Sequence, residues 1–193
     1  SMEPGRGCKY GLAGSKKVPL GADGNPNPYV RLDPLPPILE ALRMGELQHV
    51  RDMLETRYDL DVNATSPLGV TPLMVAAGAG HLDIVRALIF RGCDIGYVDA
   101  LGRSALLHAV ANATSGDTCI LKELLEHRAE LSVSSCCDQL PPLHLCALRG
   151  QDGIRQCEVL LEARADPEQL DKSGRRASDL VRDTSQDIEL LRL

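Results

Sequence analysis

Residues 69–95 read GVTPLMVAAGAGHLDIVRALIFRGCDI, and the reading of this stretch decides the fold. It holds two short helical patterns with a Gly-containing turn between them and a second Gly turn after them. Much the same pattern recurs on both sides. Thr71-Pro72-Leu73 is echoed 33 residues on by Ser104-Ala105-Leu106, and at the same spacing Ala76 is echoed by Ala109 and Gly69 by Gly102. A fixed period of that size marks stacked copies of one supersecondary unit.

Within the quoted unit each residue type has a physical task. The Thr71 hydroxyl can cap the first helix, and Pro72 preorganises its first turn. Ala76 and Ala77 are small where two helices must approach closely, and Gly80 and Gly92 permit the turns into and out of the second helix. Later in the chain comes Pro141-Pro142-Leu143-His144, followed by Cys146-Ala147. Together with Thr71-Pro72-Leu73 this matches the T-P-L-H-x-A signature, and the chain resembles the ankyrin-repeat family.

The resemblance covers about residues 35–193 and implies an all-α solenoid of helix-turn-helix units with β-turn fingers. Four repeats are expected at about 35–65, 66–98, 99–135 and 136–170, with a short C-terminal capping repeat at 171–193. In repeat one Pro36-Pro37 sets a helix start, and Ile38, Leu39, Ala41 and Leu42 form its inner face. Met74 stands where the family usually has His. Repeat three departs most: its inter-helix turn is expanded to ATSGDTCI, its second helix reads ILKELLEHRAEL, and Arg128 takes the usual Gly position after it. In the last repeat Gly174 is followed by RRASDLVRD, with Ile188, Leu190 and Leu191 expected in a final helix. Residues 1–34 are rich in Gly and Pro without apolar periodicity, and read as an irregular extension, with Ser1 ahead of Met2 as a cloning scar.

Composition agrees with a solenoid. The chain has no Trp, one Phe and four Tyr, so its core must be filled by aliphatic side chains, which suits stacked helix pairs better than a sandwich. The net charge of -6 offers no general attraction to nucleic acid. Apolar runs are too short to span a bilayer, so no membrane role is expected. Seven Cys without a C-x-x-C and without a secretory signal read as reduced thiols of an intracellular protein, cytoplasmic or nuclear.

Chemistry is sparse. Cys136, Cys137, His144 and Cys146 are close in sequence but fit no common zinc spacing, and His144 and Cys146 have structural roles in a repeat. His108 has no readable acid partner or oxyanion arrangement and reads as a buried His bonded between helices. The expectation is a monomer without enzymatic activity, cofactor or metal. Arg175-Arg176-Ala177-Ser178 resembles a target of basic-directed kinases, which marks Ser178 as a candidate phosphorylation site.

In the family the fingers and first helices form a concave surface where partners bind. Carried over, the resemblance implies a protein-binding scaffold, adaptor or regulatory subunit. The alternative is the substrate-targeting part of a larger enzyme such as a ubiquitin ligase, kinase or methyltransferase. The candidate partner-binding residues are Arg43 and Met44 in repeat one and Leu68 and Val70 in the next finger. They continue with Leu101, Arg103 and Asn112, then Asp138, Leu140 and Arg149, and end with Lys172 and Arg175. Gly78 and Ala79 leave the first helix of repeat two nearly bare. The set is cationic with apolar residues towards its N-terminal half, which suits a partner peptide carrying apolar anchors and acidic residues.

Overall fold

In the computed structural model, residues 35–112, 118–131 and 140–182 are described. They form helix pairs. The first pair is α1 (Pro37–Met44) with α2 (Leu47–Thr56), and the second α3 (Pro72–Ala79) with α4 (Leu82–Phe90). Next come α5 (Ala105–Asn112) with α6 (Cys119–Glu126), and α7 (Pro142–Leu148) with α8 (Ile154–Glu162). A 3-10 turn, Gly150–Gly153, joins the last two, and α9 (Ala177–Arg182) closes the described chain. Among the described residues there is no strand, only an isolated bridge pairing Val98 with Ser104 at the foot of a finger.

The sequence explains the helix ends. Proline opens α1, α3 and α7, where a missing N–H costs nothing. Thr71 caps α3 through Oγ1, which accepts from the Met74 amide at 3.3 Å. Met74 lacks the imidazole usual there, but its thioether sulfur accepts weakly from the Thr71 N–H at 3.5 Å. After α4, Gly92 turns the chain with φ 76°, and Arg128 and Arg164 adopt the same left-handed conformation with φ 61° and 67°. A non-Gly residue there is strained, so these two turns are held by what surrounds them. The α6 helix ends at Glu126, five residues short of the expected ILKELLEHRAEL, because that turn begins at His127.

Stacking buries the apolar faces in one continuous core running from Ile38 to Leu180. Each fully buried Leu or Ile contributes about 1.5–3 kcal/mol relative to exposure. The first helices stack in the order α1, α3, α5, α7, α9, and the second in the order α2, α4, α6, α8. Packing is closest between first helices, where Ala76, Ala77, Ala105 and Ala109 are small and buried. In the ankyrin-repeat arrangement the first-helix side is the inner, concave face, and the closer packing between first helices agrees with that. On the outer face Arg51 pairs with Asp83 at 2.9 Å and Arg86 with Glu123 at 2.7 Å, each across two repeats.

The N-terminal extension, the enlarged turn at 113–117, residues 132–139 and the final helix expected near 188–191 lie outside the described residues.

Candidate functional site

The concave face is built from fingers and the exposed sides of the first helices. Adjacent fingers are tied together: the Ala100 amide donates to the Leu68 carbonyl at 2.9 Å. Leu68, Leu101, Met44 and Leu148 are exposed, although large and apolar. Val70 is instead half-buried and packs against the core, so it supports its finger more than it offers a contact. Leu140 is likewise half-buried, and Asp138 lies outside the described residues.

Helix α3 is not bare. A Cβ on Gly78 would stand 3.0 Å from the Asn112 side-chain nitrogen and 3.6 Å from the His108 carbonyl. Gly78 is small because α5 packs over it, and only Ala79 is left open. Asn112 is exposed at the end of α5, beside that contact.

The finger at 99–104 is organised by a carboxylate. Asp99 is buried, and its Oδ1 accepts from the amides of Leu101 and Arg103, both at 2.9 Å. Its Oδ2 accepts from Arg103 Nε at 3.0 Å and lies 3.0 Å from His108 Nε2. His108 therefore reaches from α5 down to its own finger, not across to another helix as the sequence suggests. Burial pushes the His108 imidazole below its usual range; the Asp99 hydrogen bond opposes that, and the Arg103 charge reinforces it. Burial alone would raise the Asp99 carboxyl. The Arg103 amide, His108 and the Arg103 guanidinium outweigh it and hold the group below the usual carboxylate range.

The same device recurs 72 residues on, at 171–176. Asp171 Oδ1 accepts from the Ser173 and Arg175 amides at 2.8 Å, and Oδ2 from Arg175 Nε at 3.1 Å. Those amides and the guanidinium hold Asp171 low as well. His144, buried on α7, ties the two repeats together: its Nε2 lies 2.9 Å from the Arg175 carbonyl.

The predicted cations are thus not equivalent. Arg43 pairs with Glu40 at 3.3 Å on an exposed helix face. Arg149 reaches back across the stack and caps α5, donating to the Val110 and Ala111 carbonyls at 3.1 and 2.7 Å. Arg103 and Arg175 project from fingers, and Lys172 is exposed beside Arg175. Ser178 is half-buried in α9, with Arg176 engaged by Glu168 at 2.9 Å.

Sequence reading missed Asp99 and Asp171. The signal was present as D-x-x-G-R at 99–103 and again at 171–175. Among the described residues no group of His, Cys, Asp and Glu could hold a metal, and no helix is long and apolar enough to cross a membrane. Cys146 and Cys157 face one another between α7 and α8; that contact and burial push the Cys146 thiol up.

The chain matches a family model described as ankyrin repeats (3 copies), over residues 21–99, 38–135 and 73–171. It is 31% identical over 126 residues to "Probable E3 ubiquitin-protein ligase XBOS33" of Oryza sativa subsp. japonica, covering 65% of this chain and 23% of that protein. It is 34% identical over 99 residues to "Ankyrin repeat and SAM domain-containing protein 6" of Mus musculus, covering 51% of this chain and 11% of that one. To "Ankyrin repeat and SOCS box protein 1" of the same species it is 38% identical over 73 residues, covering 35% and 22%. The chain thus spans less than a quarter of these relatives.

Proposed function

Because the chain belongs to the ankyrin-repeat family, whose repeats are protein-interaction modules, we propose that it binds a segment of a partner protein along its concave face. In this role it is a non-enzymatic scaffold, adaptor or regulatory subunit. The observation that carries the reading is that four of the seven exposed large hydrophobic side chains among the described residues, Met44, Leu68, Leu101 and Leu148, sit on the fingers and first helices; the others are Tyr58, Phe90 and Leu170. Exposed apolar residues scattered singly need no explanation, but their recurrence on the same elements of successive repeats supports an interaction surface there. Arg103, Lys172 and Arg175 stand on fingers as well, with their side chains partly or fully exposed, so the segment carries acidic residues as well as apolar anchors.

A second reading is favoured by the short span of the match. In a longer polypeptide these repeats would be the part that recruits a substrate, as the likeness to a probable ubiquitin ligase suggests. The binding surface is the same in both readings.

The test is to pan a phage-displayed library of random twelve-residue peptides on the purified protein, then measure the enriched peptides against Leu68→Glu with Leu101→Glu. At least a tenfold loss of affinity is expected, with no loss for Phe90→Glu on the outer helix row. Equal affinity for the wild-type protein and the groove variant overturns the reading.

A further inference from the structure

We propose that Arg103 and Arg175 are two preorganised carboxylate clamps, spaced to read a pair of acidic residues in an extended partner segment. The proposal rests on the concave face being the binding surface.

Both fingers share one construction. A buried aspartate is fixed by two backbone amides through Oδ1 and turns Oδ2 towards the Nε of an arginine four residues on. The Asp99 and Asp171 side chains are each 2% exposed, whereas Arg103 and Arg175 are 39% and 48% exposed. The anion lies inside the finger, and a large part of the cation meets solvent. In each clamp the arginine is immobilised before a ligand arrives, so less side-chain entropy is lost on binding. Among the described residues, the Nη groups of Arg103 have no hydrogen-bond partner, and a planar guanidinium edge accepts a carboxylate bidentately.

The other cations do not share this construction. Arg149 is consumed by the carbonyls that end α5, and Arg43 leans on its own helix neighbour. In the second clamp Arg175 Nη2 also lies 3.0 Å from Asp171 Oδ2, so more of that guanidinium is engaged than in Arg103, and the exposed Lys172 adds a second cation to the same finger.

The spacing sets the sequence of the partner. The clamps stand two repeats apart, at the starts of α5 and α9 with α7 between. Packed helices lie 8–10 Å apart, which puts the clamps roughly 20 Å from each other. An extended chain rises about 3.3 Å per residue, so the two acidic residues fall about six positions apart. Leu68 and Leu101 belong to adjacent fingers, at half that separation, so two apolar anchors about three positions apart lie towards one end of the acidic pair. Neither polarity of the partner chain is required by this arithmetic.

The experiment uses the peptides enriched from the same twelve-residue library. Enriched sequences are expected to carry two Asp or Glu residues five to seven positions apart. Replacing both by Asn or Gln is expected to weaken binding at least tenfold, as is Arg103→Gln with Arg175→Gln. The loss should shrink at high salt. The urea midpoint of the double variant is measured alongside, since an arginine that serves only the fold would lower stability without changing the affinity of the folded protein. Enriched peptides without paired acids, or full affinity after amide replacement, overturn the clamps. If the Leu68/Leu101 variant also binds fully, the groove reading falls with them; if that variant alone fails, the groove stands and the clamps do not.

Discussion

Removing the Asp99 carboxylate should loosen a finger while leaving the helices intact. Four donors converge on it: the Leu101 and Arg103 amides, Arg103 Nε and His108 Nε2. Hydrogen bonds to a charged group contribute about 1.5–3 kcal/mol each, but they are not additive. Water reaches the Arg103 edge of the finger and replaces part of what is lost. The amides and the His108 ring are less accessible, so Asp99→Ala is expected to cost about 2–3 kcal/mol in total. With a urea slope of about 1–3 kcal/mol per molar, the midpoint should fall by ~0.7–3 M. Asp99→Asn separates the contributions. Its amide oxygen still serves the two backbone N–H groups, but its NH2 meets Arg103, so it should lose more than half of the stability lost by the alanine variant. Urea unfolding followed by circular dichroism measures both. An Asp99→Ala protein within about 0.5 kcal/mol of wild type would refute the claim that the carboxylate organises the finger.

Three further outcomes follow from the packing and titration. His108 is held below its ordinary pKa of about 6.5, so the unfolded chain binds a proton that the fold resists. Stability should therefore fall as pH drops from about 6.5 towards the lower folded value, and fall again below pH ~4 as Asp99 is protonated; His108→Gln should flatten the first decline, and an unchanged pH profile would contradict it. A Cβ at Gly153 would lie 2.0 Å from the Cys146 carbonyl oxygen, so Gly153→Ala should cost about 1–3 kcal/mol by urea unfolding, and a neutral result would contradict the packing. Burial and Asp94 push the Cys93 thiol up to about 11, whereas Cys119 is exposed. Iodoacetamide at pH 8 with peptide mapping should label Cys119 well before Cys93, and the reverse order would be inconsistent with the burial.

The fold was legible because its determinants are local and repeat. Thr71-Pro72, the paired alanines and the Gly turns each act within one unit, and the 33-residue echo multiplies the signal. The inner face of α1 was read residue by residue: Ile38, Leu39, Ala41 and Leu42 are all buried. What was not legible depends on contacts between units. Gly78 reads as bare surface until Asn112 is placed over it, a matter of register between α3 and α5. Arg149 reads as a groove cation until its guanidinium meets the α5 carbonyls, 38 and 39 residues away in sequence. Asp99 and Arg103 lie four apart in a turn, where helical face arguments say nothing about whether side chains meet. Arg128 was correctly placed at a glycine position because the repeat alignment, not residue preference, identified it.

The central claim is that a partner segment lies along the fingers and first helices and not the outer row. Amide chemical-shift mapping with the tightest library peptide tests this directly. Perturbations are expected at 68–70, 101–103, 148 and 172–175, the finger and first-helix positions that line the concave face. Perturbations confined to α2, α4, α6 and α8 would contradict it.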